Sequence, residues 1–345
     1  MTRWRKRLKE EDAEALLKET IQIALRTRAL TTKEVEQVNV DTTVQEKAVA
    51  YPTDAHNYNK ARKHLVKIAR RHGIKLRQSY ERVGEKLLRQ QGCYAHARQM
   101  NRSQRAVKKL RSILGYVLRE VQQKLVLLTE REKQLVTLIK KLYIQKREDK
   151  QKVYSLHAPE VECIAKGKVR KKYEFGDKVS IVSSNKGNWI LGTQALHGNP
   201  YDGHTLQCAL DQAMKLTGHE IKKAYCDKGY RLKKAEALTS CQVLLPGQKR
   251  RSPEEKNRMK RRNAIEPIIG HLKSDHRLSR NYLRGVIGDK QNAILASCGF
   301  NMRKLLRVFL YPLIKRLFSS FFGVLSQIRE VVFNFIFPLN CSPNI

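Results

Sequence analysis

The feature that most constrains the fold is a change in hydrophobic pattern at about residue 55. Before it, residues 38–44 (VNVDTTV) alternate apolar and polar side chains, which is typical of a β-strand. Residues 55–150 contain no proline and place apolar side chains at helical spacing. Strand patterns return after Pro159. The sequence therefore predicts an α/β fold in which a long helical insertion follows the first strand.

The helical block is also strongly basic. Residues 60–111 hold 17 Lys and Arg against two Glu, and the whole chain carries a formal net charge of +38 at pH 7. A solvated helical face can carry such charge. An excess of this size nevertheless favours nucleic acid, because each phosphate neutralised by Lys or Arg releases condensed counterions. The candidate DNA contacts in this block are Lys60, Arg62, Lys63, Lys67, Arg70 and Arg71.

Other protein classes fit the composition less well. An apolar content of 41% is enough for a core, which excludes a disordered chain. The seven cysteines are scattered without a CxxC pair, so they favour neither a disulfide framework nor a zinc site. Charged residues interrupt the apolar C-terminal stretch, whose longest uncharged run, residues 317–328, is too short to span a bilayer. We expect a cytoplasmic protein with no membrane partner.

Turn and capping residues place the remaining elements. Residues 173–183 and 188–196 flank the turn SNKG and predict a hairpin. A Ser-Pro-x-Glu start at Ser252 predicts a capped helix. Residues 110–142 fit one long amphipathic helix or an antiparallel pair. Further patterns predict helices at 10–30 and 203–216 and strands at 220–226 and 242–245.

Three acidic residues suggest a metal site. Asp41 lies near the end of the first strand, Asp227 follows a later strand, and Glu266 lies on the helix that starts at Ser252. Carboxylates from neighbouring strand ends and a packed helix can converge on Mg²⁺, which prefers oxygen ligands. Taken singly, the three residues are also consistent with turn or surface positions. Spacing alone leaves both interpretations open.

The residues around Glu266 add cations to this picture. Arg262, Glu266 and Lys273 stand at i, i+4 and i+11, close to one face of a helix. Such a face can hold metal with its carboxylate and phosphate with its cations. A surface ladder of ion pairs is the ordinary alternative.

The spacing Arg262–x3–Glu266–x6–Lys273 resembles the signature of DDE insertion-sequence transposases of the IS4/IS5-type superfamily. The resemblance to the IS5-like branch extends over RRNAIEPIIGHLKSDHRLSRNYLRG (261–285), CDKGYR (226–231), VDTTVQEKAVAYPTDAHNYNKAR (40–62), VYSLHAPEVECIAKGK (153–168) and HGNPYDGHTL (197–206). It covers residues 1–310. Met259 stands where the family usually has a Tyr.

The resemblance implies an RNase H-like mixed-sheet core that cuts and joins double-stranded DNA at the ends of a mobile element. It implies Asp41, Asp227 and Glu266 as catalytic and metal-binding residues for Mg²⁺ or Mn²⁺, with two ions. Arg262 and Lys273 become DNA-binding helpers. The implied protein is prokaryotic and nucleoid-associated, and it works as a homodimer on terminal inverted repeats and target DNA.

The resemblance also divides the chain. The predicted regions are an N-terminal helical region (1–36), the first strand segment (37–54), the basic insertion (55–150), the remaining core (151–310) and an apolar tail (311–345). Only 40 residues precede Asp41, so we expect a shortened N-terminus. The alternatives are a non-catalytic nucleic-acid-binding protein, a decayed and inactive transposase, and a nuclease without strand transfer.

Overall fold

The computed structural model describes residues 7–124, 127–165, 172–231, 241–247 and 252–336. The first six residues of the predicted N-terminal region and residues 337–345 of the predicted tail lie outside this part. The α-helices are α1 (Glu10–Arg26), α2 (Thr32–Val35), α3 (Asp54–Arg71), α4 (Glu81–His96), α5 (Met100–Lys124), α6 (Glu130–Ile144), α7 (Asp202–Thr217), α8 (Pro253–Arg261), α9 (Ile265–Ser274) and α10 (Gly285–Ile336). The strands are β1 (Gln37–Glu46), β2 (Glu162–Ala165), β3 (Tyr173–Ser184), β4 (Ile190–Leu196), β5 (Lys223–Tyr225) and β6 (Gln242–Leu244).

One mixed sheet of six strands organises the described residues, which makes the fold α/β as expected. The order β2-β3-β1-β5-β6 places β1 in the middle, and β4 pairs with β3. β1 runs antiparallel to β3 and parallel to β5. The predicted hairpin is confirmed, because β3 and β4 pair antiparallel. β2 and β4 share the edge of β3 that faces away from β1, since Gly176 pairs with both Glu46 and Glu162.

Helices cover both faces of this sheet. On one face, Val38 and Val40 of β1 pack in a cluster with residues of α1 and α7. On the other, Val179 and Ile181 of β3 pack with residues of α9 and α10. The alternation of side chains along β1 and β3 explains the two layers, because successive residues of a strand point to opposite faces.

The predicted insertion consists of α3, α4, α5 and α6, so the open choice at 110–142 resolves to two helices, α5 and α6. It has a hydrophobic cluster of its own, drawn from residues 55–156, in which no sheet residue takes part. The chain leaves β1 for this insertion at residue 47 and returns to the sheet at β2. Both passages therefore lie at the same end of β1.

The helix predicted to carry Glu266 is broken. Ser252 caps the start of α8 as expected, and the Ser252 side chain accepts a hydrogen bond from the Glu255 amide. A 3₁₀ turn, Arg262–Ala264, then separates α8 from α9. The break therefore lies just before Glu266. Pro267 explains the position, because its ring clashes with the carbonyl four residues earlier, at Asn263, and cannot bond to it.

Two large aromatic residues belong to the core. Trp189 and Tyr230 are both about 1% exposed and lie in the same hydrophobic cluster as Val38 and Val40. Of the helices in the described part of the chain, none is long and apolar enough to cross a membrane.

Candidate active site

Asp41 lies in the middle of β1, so the expectation that it stands near the strand end is wrong. What ends near it is the parallel pairing, whose last pair is Asn39 with Tyr225. The Asp41 side chain is 23% exposed, and its carboxylate accepts from the Thr42 amide at 2.8 Å. Asp41 therefore sits where β1 continues beyond the parallel half of the sheet.

Asp227 occupies the matching position just beyond the end of β5. It is two residues after Tyr225, as Asp41 is two residues after Asn39, so the two acids follow the same pair of the parallel ladder. Asp227 caps a 3₁₀ turn, Lys228–Tyr230, by accepting from the Lys228 amide at 2.6 Å, and it is exposed to solvent. Its charge reaches Asp41, whose pKa it helps to raise.

The electrostatics of Asp41 show how the acids are grouped. Burial is the largest cause that raises the pKa of Asp41, and the negative charges of Asp227 and Asp202 raise it further. The Thr42 amide and the Arg262 guanidinium oppose this shift. Removing a carboxylate from water and placing others beside it both disfavour its ionised form. A cation bound among these acids would stabilise the ionised forms.

Arg262 brings the 3₁₀ turn to this place. Its side chain is buried, and one guanidinium nitrogen lies 3.4 Å from an Asp41 carboxylate oxygen. Glu266 follows four residues later in the first turn of α9 and is exposed. Lys273 lies in the last turn of the same helix, away from the Arg262 end. The structure thus anchors the Glu266 segment on Asp41 through Arg262.

Asp202, which the sequence analysis did not single out, joins these acids. Its carboxylate accepts from the Thr42 hydroxyl at 3.1 Å and pairs with Lys178 at 3.0 Å. Gly229 leaves room for it, because a Cβ there would lie 3.3 Å from an Asp202 oxygen. The available signal was an acid at the start of the helix predicted from residue 203, inside the motif HGNPYDGHTL.

The donor set suits a hard cation in its chemistry. Asp41, Asp202 and Asp227 supply carboxylate oxygens, which are the ligands that Mg²⁺ prefers. In the described residues, however, no three His, Cys, Asp or Glu side chains are arranged so that they could hold a metal ion. The acids are neighbours rather than a closed coordination shell.

The basic residues of α3 separate into two groups. Lys60, Lys63, Lys67, Arg70 and Arg71 are exposed, as DNA contacts would have to be. Arg62 is 1% exposed. Its guanidinium donates to the Asn59 side chain and to the Ser79 carbonyl. The expectation that Arg62 contacts DNA is therefore wrong.

The helix geometry explains this correction. Arg62 lies on the inner face of α3 with the apolar residues Ala61 and Leu65, and it passes under α4 at Gly84. A Cβ on Gly84 would lie 2.8 Å from the Arg62 side chain, so the glycine permits the close approach. The sequence alone does not show whether a charged residue lies on the inner or the outer face of a helix. A charged side chain can be buried when polar partners satisfy it, as the Asn59 side chain and the Ser79 carbonyl do here.

Comparison with known proteins adds a partial match. Residues 232–306 match the family model described as "Transposase DDE domain", a span of about a fifth of the chain that includes Arg262, Glu266 and Lys273. This match supports a DDE transposase and hence a transposase function in general. It includes neither Asp41 nor Asp227.

One curated relative is "Uncharacterized protein ORF8 in nfe locus" from Rhizobium meliloti, which is 50% identical over 99 residues. That match covers 29% of this chain and 48% of the relative, so the chain spans about half of the relative's length. No solved structure matches the chain.

Proposed function

We propose that this protein is a DNA transposase of the IS5-like branch that carries out metal-dependent cleavage and strand transfer at insertion-sequence ends. One observation carries the proposal: Arg262, within the segment that matches the transposase family model, contacts Asp41 beside Asp227. The segments that hold Asp41, Asp227 and Arg262 are far apart in the sequence, and they meet at this group of acids.

The strand order supports an RNase H-like core as part of this proposal. The central strand β1 has an antiparallel neighbour that continues into a hairpin, and a parallel neighbour that is reached through α7. Parallel neighbours need a crossover connection, and here α7 supplies it. Two of the proposed acids, Asp41 and Asp227, follow the last parallel pair of β1 and β5, and ligand sites in open α/β sheets lie outside the carboxyl ends of strands.

In this proposal Asp41, Asp227 and Glu266 would hold Mg²⁺ or Mn²⁺. The chemistry that two such ions would supply, if bound, is activation of a water or a 3′-hydroxyl and stabilisation of the leaving oxygen of an in-line displacement at phosphorus. Arg262 keeps Asp41 oriented and balances part of its charge. Lys178 does the same for Asp202. Lys273 and the exposed cations of α3 would bind DNA phosphates.

The proposed substrate is double-stranded DNA, at the terminal repeats of the element and at the target. A homodimer that holds two element ends belongs to the same proposal. The basic insertion supplies the affinity, which should fall steeply with salt, because most contacts would be to phosphate.

The test is Mg²⁺- or Mn²⁺-dependent nicking of DNA that carries the element's own ends. Asp227→Asn removes the charge that a hard cation requires while it keeps the size of the side chain. Cleavage should therefore be lost while DNA binding stays or tightens. Asp275→Asn is the matched control, because Asp275 lies just after α9 and pairs with Arg303 on the surface. Cleavage by Asp227→Asn at the wild-type rate would contradict the proposal.

One observation favours a second candidate, a non-catalytic nucleic-acid-binding protein. It is the lack, among the described residues, of three side chains arranged to hold a metal. That protein would bind DNA with the same salt dependence, but no divalent ion would induce nicking by the wild-type chain. The same assay therefore separates the two candidates.

A further inference from the structure

A cleft of about 520 Å³ lies beside α3, where the insertion joins the sheet. One wall is α3 itself; the other is formed by residues 50–52, which precede α3, and by residues 154–157, which follow the insertion. We call it the α3 cleft. Its size falls within the range of small-molecule sites.

The charge of the α3 cleft is one-sided. Lys60, Lys63 and Lys67 line it at i, i+3 and i+7, which is one face of the helix. Among the described residues that line it, none is Asp or Glu. Two of these lysines, Lys63 and Lys67, also line the neighbouring cleft against α4, where Glu81 and Glu85 lie. Lys60 lines the α3 cleft and not its neighbour. The balancing acids therefore lie on the α4 side of these lysines, and the lining of the α3 cleft itself supplies cations.

Burial and the charges of these lysines lower the pKa values of two histidines that line the cleft. Burial is the largest cause that lowers the pKa of His64, and the charges of Lys60 and Lys67 lower it further. Burial and then Lys60 likewise lower the pKa of His157. Nδ1 of His157 lies 3.2 Å from the Lys60 ammonium and 2.8 Å from the Ser155 hydroxyl, so this nitrogen accepts rather than donates. An anion in the cleft would reverse the effect of the lysines.

An aromatic ring stands at the rim. Tyr51 is 68% exposed, and its ring meets Phe175 edge-on at a centroid distance of 5.3 Å. Tyr154 packs against the same Phe175 ring, so Phe175 contacts both tyrosines. Exposed aromatic rings beside a positive groove provide stacking surfaces for unpaired bases.

We propose that the α3 cleft binds one unpaired nucleotide of a DNA strand, with its phosphate on Lys60 and Lys67 and its base against Tyr51. Lys63 contributes less, because it also pairs with Glu85 at 2.8 Å. That the strand is DNA rests on the proposed function; the lysines, histidines and Tyr51 carry the rest. The cleft lies beyond the end of β1, apart from Asp41, so it would position a strand rather than act on it.

The first test follows the ring protons of His64 and His157 by NMR during titration with thymidine 5′-monophosphate in metal-free buffer. His64→Gln and His157→Gln assign the two signals. Both histidine pKa values should rise on binding, because the phosphate offsets the lysines. Unchanged pKa values at saturating nucleotide overturn the proposal. Inorganic phosphate that binds as tightly as the nucleotide overturns the assignment of a base contact.

The second test measures the affinity of the full chain for single-stranded DNA. Lys60→Gln with Lys67→Gln should weaken binding at least about tenfold. The plot of log K against log salt should become less steep by about 1.4, or about 0.7 for each lost phosphate contact. Lys140→Gln with Lys141→Gln removes the same charge from exposed positions of α6 and is the matched control. Equal losses in the two double variants overturn the proposal.

Tyr51 supplies the third arm. Tyr51→Ala should weaken single-strand binding about tenfold, and Tyr51→Phe should keep most of it, because stacking needs the ring and not the hydroxyl. An unaffected Tyr51→Ala protein overturns the base contact. None of these measurements depends on metal or on cleavage. A failure here therefore leaves the nicking assay intact, and a protein that never nicks DNA can still show the histidine shifts.

Discussion

Two groups of acids lie beside the central strand β1, one near its middle and one at its carboxyl end, and they differ in their access to water. The Asp41 cluster (Asp41, Asp202 and Asp227) opens to solvent, with Asp227 exposed and Asp41 and Asp202 each about a quarter exposed. The Lys47 cluster (Lys47, Glu160, Asp177 and Asp289) is closed. The side chains of Lys47 and Asp289 are 3% and 2% exposed.

The Lys47 cluster is satisfied from within. The Lys47 ammonium lies 2.5 Å from Asp289 and 2.9 Å from Glu160. Asn281 donates to Asp289, and Gln45 donates to Asp177. Burial, followed by the charge of Asp289, raises the pKa of Asp177 to about 8, so this acid is mostly protonated at neutral pH. The cluster ties the end of β1 to α10 and to the chain that returns from the insertion.

The difference teaches how to read buried acids in this fold. Burial raises the pKa of Asp41 in one cluster and of Asp177 and Asp289 in the other, so a raised pKa does not by itself mark the reactive site. The Lys47 cluster has internal donors and no opening, which is the pattern of a structural network. The Asp41 cluster has carboxylates that water can reach, which is the pattern that a cation or a substrate can complete.

The largest expected effect is on cleavage, and it should separate the two clusters. Asp41→Asn should lower metal-dependent nicking by about 10³-fold or more, because the proposed site acts as a unit. Asp177→Asn should leave nicking within about threefold, since a protonated carboxyl and an amide differ little in charge. Nicking rates of purified variants on the same DNA measure both. Similar losses in the two variants would abolish the distinction drawn here.

The second effect is on stability, where a change in the Lys47 cluster should cost more than a change in the Asp41 cluster. Lys47→Met leaves Asp289 and Glu160 buried without their cation and should cost about 3–5 kcal/mol of unfolding free energy. Lys178→Met removes the partner of Asp202, which water can reach, and should cost about 1 kcal/mol. Urea denaturation followed by circular dichroism measures both values. A larger loss for Lys178→Met would mean that the Asp41 cluster is the structural one.

The third effect is a pH dependence of stability. The pKa of Asp177 is about 8 in the folded protein, above the value of about 4 in an unfolded chain. Between pH 4 and pH 8 the unfolded chain has therefore lost this proton while the folded protein keeps it. The contribution of Asp177 to the unfolding free energy falls by about 1.4 kcal/mol per pH unit over this range. Asp177→Asn should remove this pH dependence. Its unfolding free energy relative to wild type should therefore rise with pH and be largest at the pH 8 end of this range. Parallel curves of unfolding free energy against pH would contradict it.

The smallest expected effect concerns Asp202. Asp202→Asn keeps an acceptor for the Thr42 hydroxyl but removes a charge from the Asp41 cluster. The Mg²⁺ concentration for half-maximal nicking should rise about tenfold, since each carboxylate adds to the attraction of a hard cation. Asp211→Asn, at an exposed position of the same helix α7, should leave that concentration unchanged. An unshifted metal dependence in Asp202→Asn would remove Asp202 from the site.

Sequence patterns predicted most of the elements, because those patterns are local. Alternation predicted β1 and β3, turn residues predicted the β3–β4 hairpin, and Ser252 predicted the start of α8. An error arose where a residue distant in sequence decides. Arg62 is buried beneath the start of α4 and donates to the Ser79 carbonyl, a partner that no local pattern reveals.

The sequence by itself determined the α/β class, the basic insertion after the first strand, and Asp41, Asp227 and Glu266 as the acids to examine. Only the tertiary structure decided that Asp227 follows the strand beside β1, that Arg262 contacts Asp41, and that Asp202 joins them. The physical reason is range. Propensity, periodicity and capping act within a few residues, whereas strand order and the neighbours of a charge are fixed by packing between distant segments, as between Asp41 and Arg262, which are 221 residues apart.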